Sequence, residues 1–138
     1  MKGYGIKNDG NIGRGKVVTF TDLMAWKQGH ALALKIYQIT KDFPNREKFG
    51  LTSQIRRCAL SVTSNIAEGF SRKSFREKAQ FYSTALGSLT ELQNQLMLAR
   101  DVQYVSPDVY ADTYRYSVLV HKLITGLIKY AKNASRTP

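Results

Sequence analysis

An apolar residue recurs every three or four positions between residues 75 and 99. The members of this repeat are Phe75, Ala79, Tyr82, Leu86, Leu89, Leu92, Leu96 and Ala99. A mean spacing near 3.5 residues places all of them on one face of an α-helix and favours helices packed along their lengths. The sequence therefore predicts one long helix here, with partner helices of similar length.

A second apolar pattern begins near residue 21. Its stripe comprises Leu23, Trp26, His30, Ala33, Tyr37 and Thr40, widened by Met24, Leu34 and Ile36. Thr21 or Asp22 is expected to cap this helix at its N-terminus. The helix should end near Phe43, because Pro44 disfavours helical geometry in the residue before it.

Glycine and capping residues place the ends of the other predicted helices. We expect the second helix over residues 51–68, with Gly69 ending it in a left-handed conformation. Ser74 should cap the third helix, and Ser106 should cap a fourth with Pro107 at its first position. Four long helices with short connections predict an all-α, antiparallel up-down-up-down four-helix bundle.

Composition divides the chain into three parts. Five of the ten glycines lie within the first fifteen residues, whereas the remainder is rich in helix-forming residues. We expect a flexible, basic, glycine-rich arm over residues 1–20, the bundle over 21–134 and a frayed tail over 135–138. The 138 residues suit a single domain.

The charge is strongly positive. Lys and Arg number 21 against 10 Asp and Glu, giving a formal net charge of +11. Such an excess favours a polyanionic partner, because neutralised phosphates release counterions. A protein with a merely basic surface is the alternative. With Cys58 as the single cysteine, no apolar leader and no membrane-spanning run, a cytoplasmic location is the default expectation.

Residues that could carry chemistry do not form a recognisable active site. Gly10–Lys16 matches the first part of a P-loop but has Val17 where a hydroxyl is needed, which favours a flexible arm that touches phosphates. His30 and His121 could approach one another inside the bundle, yet two histidines are too few for a closed zinc site. Cys58 lies between apolar neighbours and is expected to pack. We expect no enzyme activity, metal or cofactor.

The basic residues fall into four groups along the chain. They are the arm (Lys2, Lys7, Arg14, Lys16), the second helix (Arg56, Arg57), the second turn (Arg72, Lys73, Arg76, Lys78) and the last helix (Lys122, Lys129, Lys132, Arg136). We expect that they do not form one patch on a monomer, whereas a ring could repeat them as a belt around its axis. Tyrosines of the C-terminal third could stack on bases, but packing in the core or at interfaces is the more usual role. These are Tyr104, Tyr110, Tyr114, Tyr116 and Tyr130.

Several motifs resemble one family. They are Phe20-x-x-Leu23-x-x-Trp26, Phe43-Pro44, Leu51-x-x-Gln54-Ile55-Arg56-Arg57, Ser61-x-x-Ser64-Asn65-Ile66-Ala67-Glu68-Gly69 and the segment from Gly87 to Leu96. Together they resemble the four-helix-bundle proteins encoded in intervening sequences of 23S ribosomal RNA genes, which include accessory variability determinants of diversity-generating retroelements. Thr63 departs from the family pattern, where proline is common, and Gln93 and Asn94 replace a more acidic stretch.

The resemblance implies a function. It implies a homopentamer that binds RNA or DNA and assists a reverse transcriptase, with no catalytic role of its own. The alternative is a structural or protein-interaction bundle whose basic surface binds an acidic protein. The expected nucleic-acid contacts are Arg56, Arg57, Arg72, Lys73, Arg76, Lys78, Lys122, Lys129, Lys132, Arg14 and Lys16. The expected structural or interface polar residues are Gln54, Asn65, Glu68 and Glu91.

Overall fold

Four α-helices make up most of the structure, a computed structural model that describes residues 16–136. They are α1 (Met24–Thr40), α2 (Leu51–Ser71), α3 (Phe75–Asp101) and α4 (Pro107–Ser135), with short 3-10 helices at Phe20–Asp22 and Asn45–Glu47. No strand occurs within residues 16–136. The prediction of an all-α four-helix bundle is confirmed.

Contacts between side chains show how the helices are arranged. In each contacting pair one residue lies late in its helix and the other lies early in its own, so neighbouring helices run in opposite directions. The pairs are Thr40 with Arg56, Gly69 with Tyr82, Phe75 with Tyr130, and Lys35 with Asp112. We call the end with the α2–α3 turn, residues 72–74, the turn end. The end with the α1–α2 connection, residues 41–50, is the loop end.

The repeat of α3 provides the centre of the core. Leu89, Leu92 and Leu96 are each 0% exposed. Ala79, Tyr82 and Ala99 of the same repeat are also buried, whereas Phe75 and Leu86 pack against the core from its edge. The heptad-like spacing therefore predicted the inward face of this helix correctly.

The predicted caps of the two long C-terminal helices are confirmed. The Ser74 hydroxyl accepts a hydrogen bond from the Glu77 amide at 3.1 Å. The Ser106 hydroxyl accepts one from the Val109 amide at 3.2 Å, and Pro107 occupies the first helical position. Each serine thus satisfies an amide that the first helical turn leaves without a partner.

The inward face of α1 confirms part of the predicted stripe, since Ala33, Ile36 and Thr40 are buried, but it also includes residues outside that stripe. Its buried residues are Ala25, Gly29, Leu32, Ala33, Ile36 and Thr40. His30 and Leu34, which the sequence placed on the inner face, are exposed. The reason is the small residue Gly29, where an added Cβ would lie 3.3 Å from the Thr63 side chain. Small residues bring α1 close to α2, and the larger side chains consequently lie outside that contact.

The ends of α1 also differ from the prediction. Thr19, rather than Thr21 or Asp22, provides the N-terminal cap, and it caps the short 3-10 helix instead of α1. The Asp22 carboxylate accepts hydrogen bonds from the amides of Thr19 and Val18, which lower its pKa. At the other end α1 stops at Thr40.

Gly69 does not end α2 as predicted. The helix continues to Ser71, and Gly69 is a buried residue inside it. A Cβ at this position would lie 2.8 and 2.9 Å from ring atoms of Tyr82, closer than such atoms approach one another in proteins. Glycine is required here because α3 passes close to the α2 backbone.

Both ends of the described chain lie at the turn end of the bundle. Leu23 lines a small cavity with residues of α2, α3 and α4, including Phe70, Phe75 and Tyr130. Val17 is 4% exposed and belongs to the core, so the predicted boundary at residue 20 falls inside a segment that packs on the bundle. Residues 1–15 lie outside the described part. Within residues 16–136, no helix is long and apolar enough to cross a membrane.

Candidate nucleic-acid interface

Two of the four basic groups meet at the turn end. A groove between α3 and α4 is lined by Arg76, Ala79, Gln80, Ser83, Thr84, Lys132 and Ser135. Arg76 comes from the second-turn group and Lys132 from the last-helix group. These two groups lie together because the C-terminus of α4 packs beside the N-terminus of α3, whereas the α2 group lies elsewhere, so the four groups do not form one patch.

The lining of this groove suits an anion. Two cations face several neutral hydrogen-bonding side chains, namely an amide and three hydroxyls, and none of the lining residues is acidic. Guanidinium and ammonium groups supply charge and hydrogen-bond donors for phosphate oxygens. The Thr84 and Ser135 hydroxyls donate to backbone carbonyls, which leaves the Ser83 hydroxyl as a further donor. The groove could therefore hold part of a phosphate backbone.

Basic residues also form a stripe along α4. Arg115, Lys122, Lys129 and Arg136 are spaced seven residues apart and are all exposed. Seven residues are close to two helical turns, so the four side chains share one face over about 30 Å. After Asp112 the sequence contains no acidic residue. Arg115 was not among the predicted contacts, although this spacing could have identified it.

Two of the predicted turn cations are used within the fold. The Lys78 ammonium donates a hydrogen bond to the Phe70 carbonyl at 2.6 Å and lies over the Phe70 ring. Burial lowers the pKa of Lys78. Arg72 pairs with Glu68 and lies over the Phe81 ring. Lys78 thus stabilises the C-terminus of α2, where unpaired carbonyls favour a cation.

The predicted pair on α2 lies at the loop end, far from the groove. Arg56 Nε donates to the Thr40 hydroxyl at 2.8 Å, and its guanidinium stacks on the Tyr37 ring. Arg57 is exposed and donates to the Gln54 side chain. Arg56 therefore joins α1 to α2, whereas Arg57 is available to a ligand.

The side chains of the remaining predicted contacts are exposed. Their side chains make no hydrogen bond or ion pair with any other residue of the described range. They are Lys16, Lys73, Arg76, Lys122, Lys129 and Lys132. Arg14 and most of the P-loop-like segment lie outside the described residues.

Three of the four predicted interface polar residues bind partners within the monomer. Asn65 donates to the Ser61 carbonyl at 2.8 Å, and the Ser61 and Ser88 hydroxyls lie 2.7 Å apart, joining α2 to α3. Glu68 and Glu91 are exposed, and Glu68 bonds Arg72 as described above. The fourth predicted residue, Gln54, accepts from Arg57.

Comparison with known protein families identifies the family. The family model described as 23S rRNA-intervening sequence protein matches residues 21–126, which is most of the chain. The chain belongs to this family.

Solved structures support the same fold for this intervening-sequence family member. The chain is similar to a protein of unknown function from the S23 ribosomal protein family of Bacteroides thetaiotaomicron, with 24% sequence identity. The TM-score is 0.71, and the similarity covers 76% of this chain and 95% of that chain. At this identity the likeness concerns the fold alone. A search of curated proteins found no match.

The histidines of the family member do not approach one another in the core. His30 is exposed and stacks on the Trp26 ring, with the ring centroids 4.7 Å apart. His121 lies half-buried on α4. The expectation of an internal histidine pair is wrong because α1 presents a different face to the core. Among residues 16–136, no three His, Cys, Asp or Glu side chains cluster as metal ligands.

The tyrosines of the C-terminal third are half-buried and pack within the fold. Tyr104 packs on Phe43, Tyr130 on Phe75 and Tyr110 on Tyr114, and the Tyr116 hydroxyl donates to Gln28. Their rings therefore stabilise helix contacts at both ends of the bundle. The structure consequently favours the packing role for these residues over base stacking.

The single cysteine of the family member faces the core. Cys58 is 1% exposed. Burial raises the pKa of its thiol, and the nearby Glu91 carboxylate raises it further. Both effects oppose formation of the thiolate, which is the reactive form.

We predict that Cys58 does not react with a disulfide reagent such as Ellman's reagent while the protein is folded, and reacts completely in denaturant. A Ser64→Cys variant is the positive control, because Ser64 is exposed on the same helix. Absorbance of the released thiolate measures both rates. Equally fast reaction of the two cysteines in the native protein would contradict the inert role of Cys58.

Proposed function

We propose that this protein is a nonenzymatic accessory subunit that binds the phosphate backbone of RNA or DNA. The observation that carries this proposal is the α3–α4 groove, where Arg76 and Lys132 face neutral polar groups and no lining residue is acidic. The exposed stripe of α4 extends the positive surface along the bundle. Unpaired surface cations of this kind attract phosphates and release counterions on binding.

We further propose that the protein acts as a ring, a homopentamer, that assists the reverse transcriptase of a diversity-generating retroelement. The segment from Ser61 to Gly69 supports this assignment through its resemblance to a family that includes accessory variability determinants. Exposed apolar side chains on α3 and α4 support self-association, since they lack partners on the monomer surface. They include Leu98, Val102, Val118 and Leu119.

The same apolar residues also favour a second candidate, a protein-interaction bundle. In that function the cations would bind an acidic protein, and the apolar residues would form the centre of the contact. Binding to RNA and DNA distinguishes the two candidates directly.

We predict that Arg76→Gln, Lys129→Gln and Lys132→Gln together reduce the salt dependence of RNA binding. Each lost contact with single-stranded RNA should reduce the slope of log affinity against log salt by roughly 0.7, so the slope should fall by about 2. Fluorescence anisotropy of a labelled RNA between low and high salt measures the slope.

A matched control removes the same charge elsewhere. Lys27→Gln, Lys41→Gln and Arg46→Gln alter three exposed cations outside the groove. Equal effects of the two triple variants would mean that net charge alone drives binding. If the wild-type protein bound neither RNA nor DNA at physiological salt, the protein-interaction candidate would replace the proposal.

A further inference from the structure

Phe49 is an aromatic side chain that the fold leaves in solvent. It is 88% exposed and lies between the 3-10 helix at Asn45–Glu47 and the start of α2. Phe43 of the same connection is buried, so the connection does supply an aromatic ring to the core. The Lys48 ammonium lies 5.5 Å from the centroid of the Phe49 ring. A ligand or partner that covered this ring would remove its apolar surface from water, which is favourable.

An open groove at the loop end adjoins this ring. It is lined by Tyr37, Lys48, Phe49, Thr52, Ser53, Arg56, Arg57 and Leu60. The lining thus combines two aromatic rings, three cations and three hydroxyls, and it contains no carboxylate. This chemistry differs from that of the α3–α4 groove, which has cations and hydroxyls but no aromatic residue.

The nearest acidic residue in the sequence is bound inside the connection. One Glu47 carboxylate oxygen accepts a hydrogen bond from the Leu51 amide at 3.0 Å, and the other accepts one from the Tyr104 hydroxyl at 2.7 Å. These bonds lower the pKa of Glu47 and keep it ionised. Its charge therefore serves the loop and does not line the groove.

The three cations of the groove differ in how strongly the fold restrains their side chains. Arg56 is held by Thr40 and stacks on Tyr37, at 4.6 Å from the ring centroid. The plane of the Arg56 guanidinium and the Tyr37 ring are therefore held in place and form one side of the groove. Arg57 and Lys48 are exposed and can turn towards a ligand beside Phe49.

We infer that this groove binds an unpaired nucleotide of single-stranded RNA or DNA, with its base stacked on Phe49 and its phosphate bound by Arg57 and Lys48. The inference rests on the proposed function and assigns it a second site. An exposed ring beside cations is the combination that single-strand binding proteins use. The bases of a duplex are stacked within the helix, so they cannot cover the ring in this way. An apolar peptide would desolvate the charges of Lys48 and Arg57 without supplying an anionic partner.

The test compares substitutions of Phe49 that separate stacking from apolar contact. Phe49→Ala should weaken binding of a single-stranded RNA about tenfold, whereas Phe49→Trp should retain it. Phe49→Leu keeps an apolar side chain but removes the ring, so it should behave like Phe49→Ala. The matched control Leu34→Ala removes an exposed apolar group on α1 outside the groove lining and should have no effect. Thermal unfolding should be unchanged throughout, because Phe49 has no role in the core.

The same variants are measured with a duplex of the same sequence. Duplex affinity and its salt slope should stay within twofold of the wild-type values, because no charge is removed. Quenching of 2-aminopurine in the single strand should be lost in Phe49→Ala. Three results would overturn the inference while leaving the proposed function intact: full binding by Phe49→Leu, equal weakening of single strand and duplex, or no change in Phe49→Ala.

Two further outcomes have distinct meanings. A lower oligomer mass for Phe49→Ala in the same buffer would mean that the Phe49 side chain contacts another copy of the chain, and it would overturn the inference. Failure of the wild-type protein to bind any nucleic acid would refute the proposed function and this inference together.

Discussion

Replacing Leu92 with alanine is expected to lower the free energy of unfolding by about 3 kcal/mol, because a buried leucine loses its transfer free energy and leaves a cavity. Leu92 is 0% exposed and lies between Leu89 and Leu96, which are also 0% exposed. Because α3 packs against both α2 and α4, it cannot shift to close the cavity without losing contact with one of these helices. Denaturant unfolding followed by circular dichroism measures the change.

The matched control is Leu98→Ala on the same helix. Leu98 is 50% exposed, so its truncation removes less buried surface and should cost under about 1 kcal/mol in a monomer. A similar loss for both variants would mean that α3 faces the core differently. Against a typical domain stability of about 5–15 kcal/mol, the Leu92 variant remains folded in buffer.

The second large effect is expected at Gly69. A valine here would place its Cβ within 3.0 Å of the Tyr82 ring and the Phe81 Cβ. Tyr82 is 4% exposed and belongs to the hydrophobic core. We expect Gly69→Val to lower the free energy of unfolding by about 3 kcal/mol, at the upper end of overpacking costs.

Gly87 provides the control for this prediction. It is an exposed glycine inside α3, and a Cβ there meets no atom within 4 Å. Gly87→Val should therefore stabilise slightly, by about 0.5 kcal/mol or less, through the higher helix propensity of valine. If both variants lost stability, the cause would be valine within a helix and not the contact with Tyr82. Denaturant melts of the pair give the sign directly.

The two glycines illustrate what the sequence could and could not predict. Heptad spacing and serine caps identified α3 and α4, because these signals are local. Gly69 was assigned to a helix end, since glycine favours left-handed geometry, but its role is to admit α3. Only the tertiary contact with Tyr82 reveals that role. In the same way, Gly29 packs close to Thr63 of α2, and His30 and Leu34, which the pattern placed on the inner face, lie outside that contact.

The candidate site was predicted less completely than the fold. Charge and spacing pointed to the cations of the second turn and of α4, and Arg76 and Lys132 line one groove. The sequence could not show that Lys78 binds a backbone carbonyl, because that bond joins two helices. Nor did it single out Phe49, since a phenylalanine next to a helical pattern is most often a core residue.

The arrangement of the chain ends has a practical consequence. The C-terminus of α4 lies at the turn end, where Lys132 and Ser135 line the groove together with Arg76. An affinity tag, fluorescent protein or surface linker attached directly after α4 would therefore crowd that groove. Labels placed in the connection at residues 102–106, at the opposite end, would leave it open and suit immobilisation for binding assays.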